Sequence, residues 1–125
     1  MRRSFRKRSD NDNVEKMREL ARRLDLYYGG DEGLDERKIF GEYVFYDVTN
    51  MSKREFRDLL SDFSEVEVKT ESYSVGIAYD VSSYGYWNEV EGEDFYAYVN
   101  IMIKNLDTLD FEQLEDDVAK AISVL

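Results

Sequence analysis

Residues 95–103 read FYAYVNIMI, and their alternation decides the fold. Phe95, Ala97, Val99, Ile101 and Ile103 fall on one side of an extended chain, Tyr96, Tyr98, Asn100 and Met102 on the other. A period of two is the strand period. Working back, Tyr73, Val75, Ile77, Tyr79 and Val81 share a face of a second strand. Gly76 and Ala78 occupy its opposite face, where the large residues of 95–103 can cover them. Val66 and Val68 alternate with charged residues in a third strand, and a hairpin turn or bulge around Glu71–Ser74 accounts for the change of phase between the two. Tyr43–Val48 (YVFYDV), β-branched and aromatic, reads as a fourth.

Helical spacing brackets these strands. Val14, Met17, Leu20, Ala21, Leu24 and Tyr28 form one apolar stripe, which Gly29-Gly30 stops. Ser52-Lys-Arg-Glu55 fits a capping box ahead of Phe56, Leu59, Leu60 and Phe63. Asp107 or Asp110 caps a closing helix with Phe111, Leu114, Val118, Ala121, Ile122 and Leu125 on its apolar side. The order α-β-α-β-β-β-α predicts an α+β fold, a mostly antiparallel sheet with helices packed on one face. Residues 1–12 are expected to form a disordered basic arm and residues 13–125 a single domain.

Charge is sorted along the chain. Residues 1–23 hold nine of the seventeen Lys and Arg against four acids; residues 58–125 hold sixteen acids against Lys69, Lys104 and Lys120. A basic arm joined to an acidic body suits contact with macromolecules better than turnover of a small metabolite. The chain has no Cys, which excludes disulfides and thiolate metal sites, and no His, the usual general base and commonest zinc ligand. The acidic runs Asp31, Glu32, Asp35, Glu36 and Glu91, Glu93, Asp94 do not match a calcium-loop pattern. No phosphate-cradling Gly motif or nucleophile motif is present, so neither catalysis, cofactor nor metal is expected. Without a long apolar run or a signal-type N-terminus, the expected location is the cytoplasm.

Two stretches are candidate sites. In the arm, Arg2, Arg3, Arg6, Lys7 and Arg8 can meet phosphates or an acidic surface, and Phe5 can stack on an unpaired base. The stretch Ser83–Asp94 (SYGYWNEVEGED) reads as a loop carrying Tyr84, Tyr86 and Trp87 beside Glu89, Glu91, Glu93 and Asp94. Aromatic anchors ringed by carboxylates complement a basic groove on a protein. The acidic body as a whole can also imitate the phosphate track of a nucleic acid.

The run Ser4-Phe-Arg-Lys-Arg-Ser9, the Asn/Asp stretch after it and the Glu/Arg-rich segment ending in Leu24-Asp-Leu-Tyr-Tyr28 resemble the start of some phage-encoded type II anti-CRISPR proteins. Tyr98-Val-Asn-Ile101 and Leu109-Asp-Phe-Glu-Gln113 are similar to their end. The resemblance implies a small α/β inhibitor of an RNA-guided nuclease, with the arm essential. This chain departs from it in its more acidic body and in Tyr84–Trp87. Two functions are therefore expected: an inhibitor docking on a basic nucleic-acid-handling enzyme, or a nucleic-acid-associated regulator that puts the arm on phosphate and the body on a protein.

Overall fold

The computed structural model describes residues 14–29, 37–48, 50–84 and 92–125, with the backbone alone at 47, 81–84 and 92–94. Helical residues 14–24 (α1) lead into β1 (Tyr27–Tyr28) and β2 (Lys38–Asp47). Then follow α2 (Lys53–Glu65), β3 (Val68–Lys69), β4 (Tyr73–Tyr84), β5 (Gly92–Ile103) and α3 (Phe111–Ser123). The order is the α+β order read from the periodicity, with the two-residue β1 added. The strands form one sheet, β1-β2-β5-β4-β3, in which every neighbouring pair is antiparallel.

The alternation of 95–103 sets the layers. Phe95, Ala97, Val99, Ile101 and Ile103 are all buried on the helix side, beside Tyr73 and Val75 of β4 and Ile39 of β2. Met17, Leu20, Ala21 and Leu24 of α1 and Leu114, Val118 and Ala121 of α3 complete this larger core. Each such side chain contributes roughly 1.5–3 kcal/mol when large and fully buried. α2 closes the other end of the same face. Phe63 stacks on Phe95 with ring centroids 6.0 Å apart, and Phe56 meets Phe95 edge-on at 5.2 Å.

The helix ends follow local chemistry. Ser52 accepts a hydrogen bond from the Glu55 amide, the N-cap half of the expected box, and its hydroxyl donates to the Glu55 carboxylate. Of the two candidate caps for α3, Asp110 is used, accepting from the Gln113 amide. The first helix ends earlier than its stripe suggested. Asp25 turns left-handed (φ 57°), its amide bonding to Arg22 O and that of Leu26 to Ala21 O. This paired closure satisfies two terminal carbonyls and buries Leu26 against the helix. Tyr28 is thereby released from the helix to pair in β1. The expected change of phase is a hairpin turn: Thr70 N bonds to Tyr73 O, and Thr70 Oγ1 accepts from the amides of Ser72 and Tyr73.

Candidate functional site

In β2 the residues that build the site are placed by one irregularity. Ile39 and Gly41 are buried on the helix side, and regular alternation would send Tyr43 and Phe45 there too. Instead the β2–β5 register shifts between Gly41 and Val44, with Glu42 at a left-handed φ of 53°. One extra residue reverses the phase. Val44 and Tyr46 now face the helices, opposite Ala97 and Phe95, and Tyr43 and Phe45 emerge on the open side. Their exposures of 44% and 67% are those of surface residues.

The open side carries a band of six touching rings. Tyr43 stacks on Tyr98 at 4.7 Å, Tyr98 on Tyr96 at 6.5 Å, and Phe45 lies 5.9 Å from Tyr96. Phe40 meets Tyr43 and Tyr98 at 6.3 and 6.2 Å, and Tyr27 of β1 extends the band from Phe40 at 6.4 Å. Phe40 rests on Gly29, where a Cβ would lie 2.2 Å from a ring carbon. Tyr98 covers Ala78 across the β4–β5 ladder, as the alternation suggests, while Gly76 lies opposite Asn100. Among the described residues the apolar clusters that the helices join lie on the other face. A contiguous aromatic surface of this kind on a small protein marks an interaction site.

The band is electrically graded. At one end the Tyr96 hydroxyl points to Asp80 Oδ2 at 3.5 Å, and burial together with that carboxylate raises its pKa. Burial first, then Tyr98, Tyr96 and Tyr27, raises that of Tyr43. These hydroxyls therefore remain neutral donors at physiological pH. At the other end Lys38 shares a cross-strand row with Met102 and Ser74. Arg37 donates to Lys104 O at 3.0 Å, and Lys104 Nζ donates to Thr70 O at 3.2 Å. Between the ends, Asn100 Oδ1 is buried and has no hydrogen-bond partner among the described residues.

Of the residues singled out from the sequence, Tyr84, Glu93 and Asp94 are in strands rather than a loop. Tyr84 pairs with Gly92, Ser83 with Glu93, and Asp94 with both Ser82 and Asp47. The connection between β4 and β5 is thus 85–91, shorter than the expected Ser83–Asp94, because both strands continue their pairing. Tyr86, Trp87, Glu89 and Glu91 lie outside the described residues, as do Arg2, Arg3, Phe5, Arg6, Lys7 and Arg8 of the arm. Sequence reasoning singled out none of the six rings as a site: Tyr96 and Tyr98 were placed only on the outer face of their strand, and Tyr27, Phe40, Tyr43 and Phe45 were missed. The available signal was the loss of a consistent phase in Ile39–Tyr46, where Gly41-Glu42 interrupts the alternation.

No protein-family model matches the chain, and no curated protein or solved structure is detectably similar to it. Among the described residues no helix is long and apolar enough to cross a membrane, and no cluster of three or more metal-ligating side chains occurs. Fold and site together define an α+β protein with helices on one face of its sheet and an aromatic band on the other.

Proposed function

We propose that this protein is a non-catalytic inhibitor that acts in the cytoplasm by docking on a basic, nucleic-acid-handling enzyme. An RNA-guided CRISPR nuclease is the first partner to test, in keeping with the resemblance at the two ends of the chain. The observation that carries the reading is the exposed six-ring band. Tyr and Phe provide rigid contact area at small entropic cost, and the Arg side chains of nucleic-acid clefts stack on such rings. The acidic body steers the protein toward a cleft of that sign. Tyr84, Tyr86, Trp87, Glu89, Glu91, Glu93 and Asp94 add aromatic and acidic contacts to the partner in this reading. Arg2, Arg3, Phe5, Arg6, Lys7 and Arg8 supply contact with nucleic acid or an acidic surface of the complex.

The test is inhibition of guided DNA cleavage by stoichiometric protein, comparing wild type with Tyr43→Ser/Phe45→Ser. The reading requires inhibition by wild type and its loss in the folded double variant. Equal inhibition by both would remove the band from the interface.

A second reading, a nucleic-acid-associated regulator, is favoured by Arg37, Lys38 and Lys104 at the opposite end of the band, since bases also stack on exposed rings beside positive charge. Direct DNA or RNA binding by the isolated protein in a gel shift separates the two. The regulator requires it and the inhibitor does not.

A further inference from the structure

The open face of the sheet is ordered by charge along its strands. At one end the register sets Lys38, Met102, Ser74 and Lys69 in a single cross-strand row. The ring-bearing rows come next, with Phe40 opposite Asn100 and then Tyr43 beside Tyr98. At the far end Phe45, Tyr96 and Asp80 share a row, and Asp47, Asp94 and Ser82 form the row two residues further along. The first row holds two cations and no acid, and the last two hold three acids and no cation. Lys69 lies 3.4 Å from Glu67 at the sheet edge, whereas Lys38 has no ion pair among the described residues. Of the five large apolar side chains exposed there, Tyr27, Tyr43, Phe45 and Met102 belong to this face.

A face with an apolar middle and opposite charges at its two ends is complementary to itself, in one orientation. A second copy laid on it with strands running the same way sets the basic row against its own counterpart. Turned end for end, it sets the basic row over the acidic rows and rings over rings. A two-fold axis lying between the sheets and across the strands makes that turn, and every contact then occurs twice. Sheets pack face to face about 10 Å apart with strand directions within about 30°, close enough for the two sets of rings to interdigitate. The net charge of −11 opposes association at long range, but repulsion between exposed charges is largely screened beyond about 8 Å at physiological salt.

We infer that a second copy of this chain covers the band, in a two-fold dimer that joins the open faces with the strands of the two sheets antiparallel. The inference rests on the proposed role of the band as an interface, and it adds that the free protein keeps those rings covered. A partner enzyme then competes with the second copy for the same surface, and the monomer is the inhibiting form. The two readings part in measurement. A monomer that inhibits removes the dimer and keeps the function, whereas a dimer without inhibition keeps the dimer and removes the function.

Sedimentation equilibrium of the full-length protein at about 100 μM and about 0.15 M salt should give twice the chain mass of 14.8 kDa. Lys38→Glu/Lys69→Glu and Asp80→Lys/Asp94→Lys, each first shown by circular dichroism to be folded, should each weaken the dimer at least about tenfold. Each sets like charges together at both ends of the interface. Mixed in equal amounts, the two variants should associate again, since every reversed row then meets its opposite. Both remain net acidic, so overall charge cannot draw them together. Tyr43→Ser/Phe45→Ser should sediment as a monomer. The inference is overturned by wild type that stays monomeric at about 100 μM, or by a mass that grows beyond two chains. A dimer unweakened by either charge reversal or by loss of the two rings overturns it too, as do folded reversal variants that stay apart when mixed.

Discussion

The Tyr73 hydroxyl donates a 2.5 Å hydrogen bond to Asp117 Oδ2, tying the first residue of β4 to the middle of α3 inside the core. Both residues are buried, Tyr73 almost completely, and Asp117 is the one buried acid among the described residues. A carboxylate placed there needs a donor.

Tyr73→Phe removes that donor while keeping the ring. The cost should be about 1–3 kcal/mol, the penalty for leaving a buried polar group unpaired. Urea unfolding measures it as a lower midpoint at unchanged slope. The same bond gives a pH signature. Burial, then the bond to Asp117, pushes the Tyr73 hydroxyl well above its ordinary value. The folded state therefore keeps a proton that the unfolded chain releases. This contribution is complete below about pH 10 and is lost as pH rises from there toward the folded value. Alkaline destabilisation above about pH 10 should accordingly be shallower in Tyr73→Phe than in wild type.

Glu42 holds a left-handed backbone that only Gly adopts freely. Glu42→Gly should leave stability unchanged or raise it by up to about 1 kcal/mol, while Glu42→Val should lower it by about that much. Deleting Glu42 tests whether the extra residue matters only through the phase it sets. Without it β2 is regular, Gly41 and Val44 still face the helices, and Tyr43 and Phe45 stay on the open side opposite Tyr98 and Tyr96. Thermal unfolding should show a loss of no more than about 1–3 kcal/mol, and near-ultraviolet dichroism a retained aromatic signal. Loss of that signal in a folded deletion variant would show that the band needs the bulge itself.

Gly29→Ala places a methyl 2.2 Å from the Phe40 ring. The ring must move, at a cost of about 1–3 kcal/mol, as overpacking usually does. In Gly29→Ala/Phe40→Leu the smaller side chain should recover at least half of that loss relative to Phe40→Leu alone. Additive effects of the two changes would show that the contact is relieved elsewhere.

Tyr43→Ser/Phe45→Ser deletes two exposed rings, so its stability cost should be set by lost ring pairs, about 0.5–1.5 kcal/mol each. Chemical denaturation should give a total below about 3 kcal/mol and an unchanged slope, leaving the protein folded for binding assays. A collapse of the fold would instead make these rings structural.

The expected and observed elements diverge where local pattern and long-range contact compete. Tyr28 continues the spacing of α1, but Asp25 adopts a left-handed turn that Leu26 then locks into the core, and tertiary burial overrides periodicity. β2 begins at Lys38 rather than Tyr43 because its first residues pair with β5, Ile39 with Ile101 and Phe40 with Asn100. No local signal in Lys38–Gly41 announces that partner.

Alternation in 73–81 and 95–103, the Ser52 box and the apolar stripe of 111–125 determined, within the sequence alone, the α+β class, the helix-facing sheet residues and the covering of that face. Those features depend on neighbours two to four positions away, and such periods are written in the chain. Which face stays open, and what stands on it, was decided only in three dimensions. Tyr27, Phe40, Tyr43, Phe45, Tyr96 and Tyr98 come from three strands, brought together by antiparallel register and by one extra residue at Glu42. How much of β4 is flanked is settled the same way, since among the described residues β3 pairs with it only at Val75 and Ser74. Both are sums over pairings distant in sequence, and a strand's own pattern does not record which strands will flank it or how far their pairing will run.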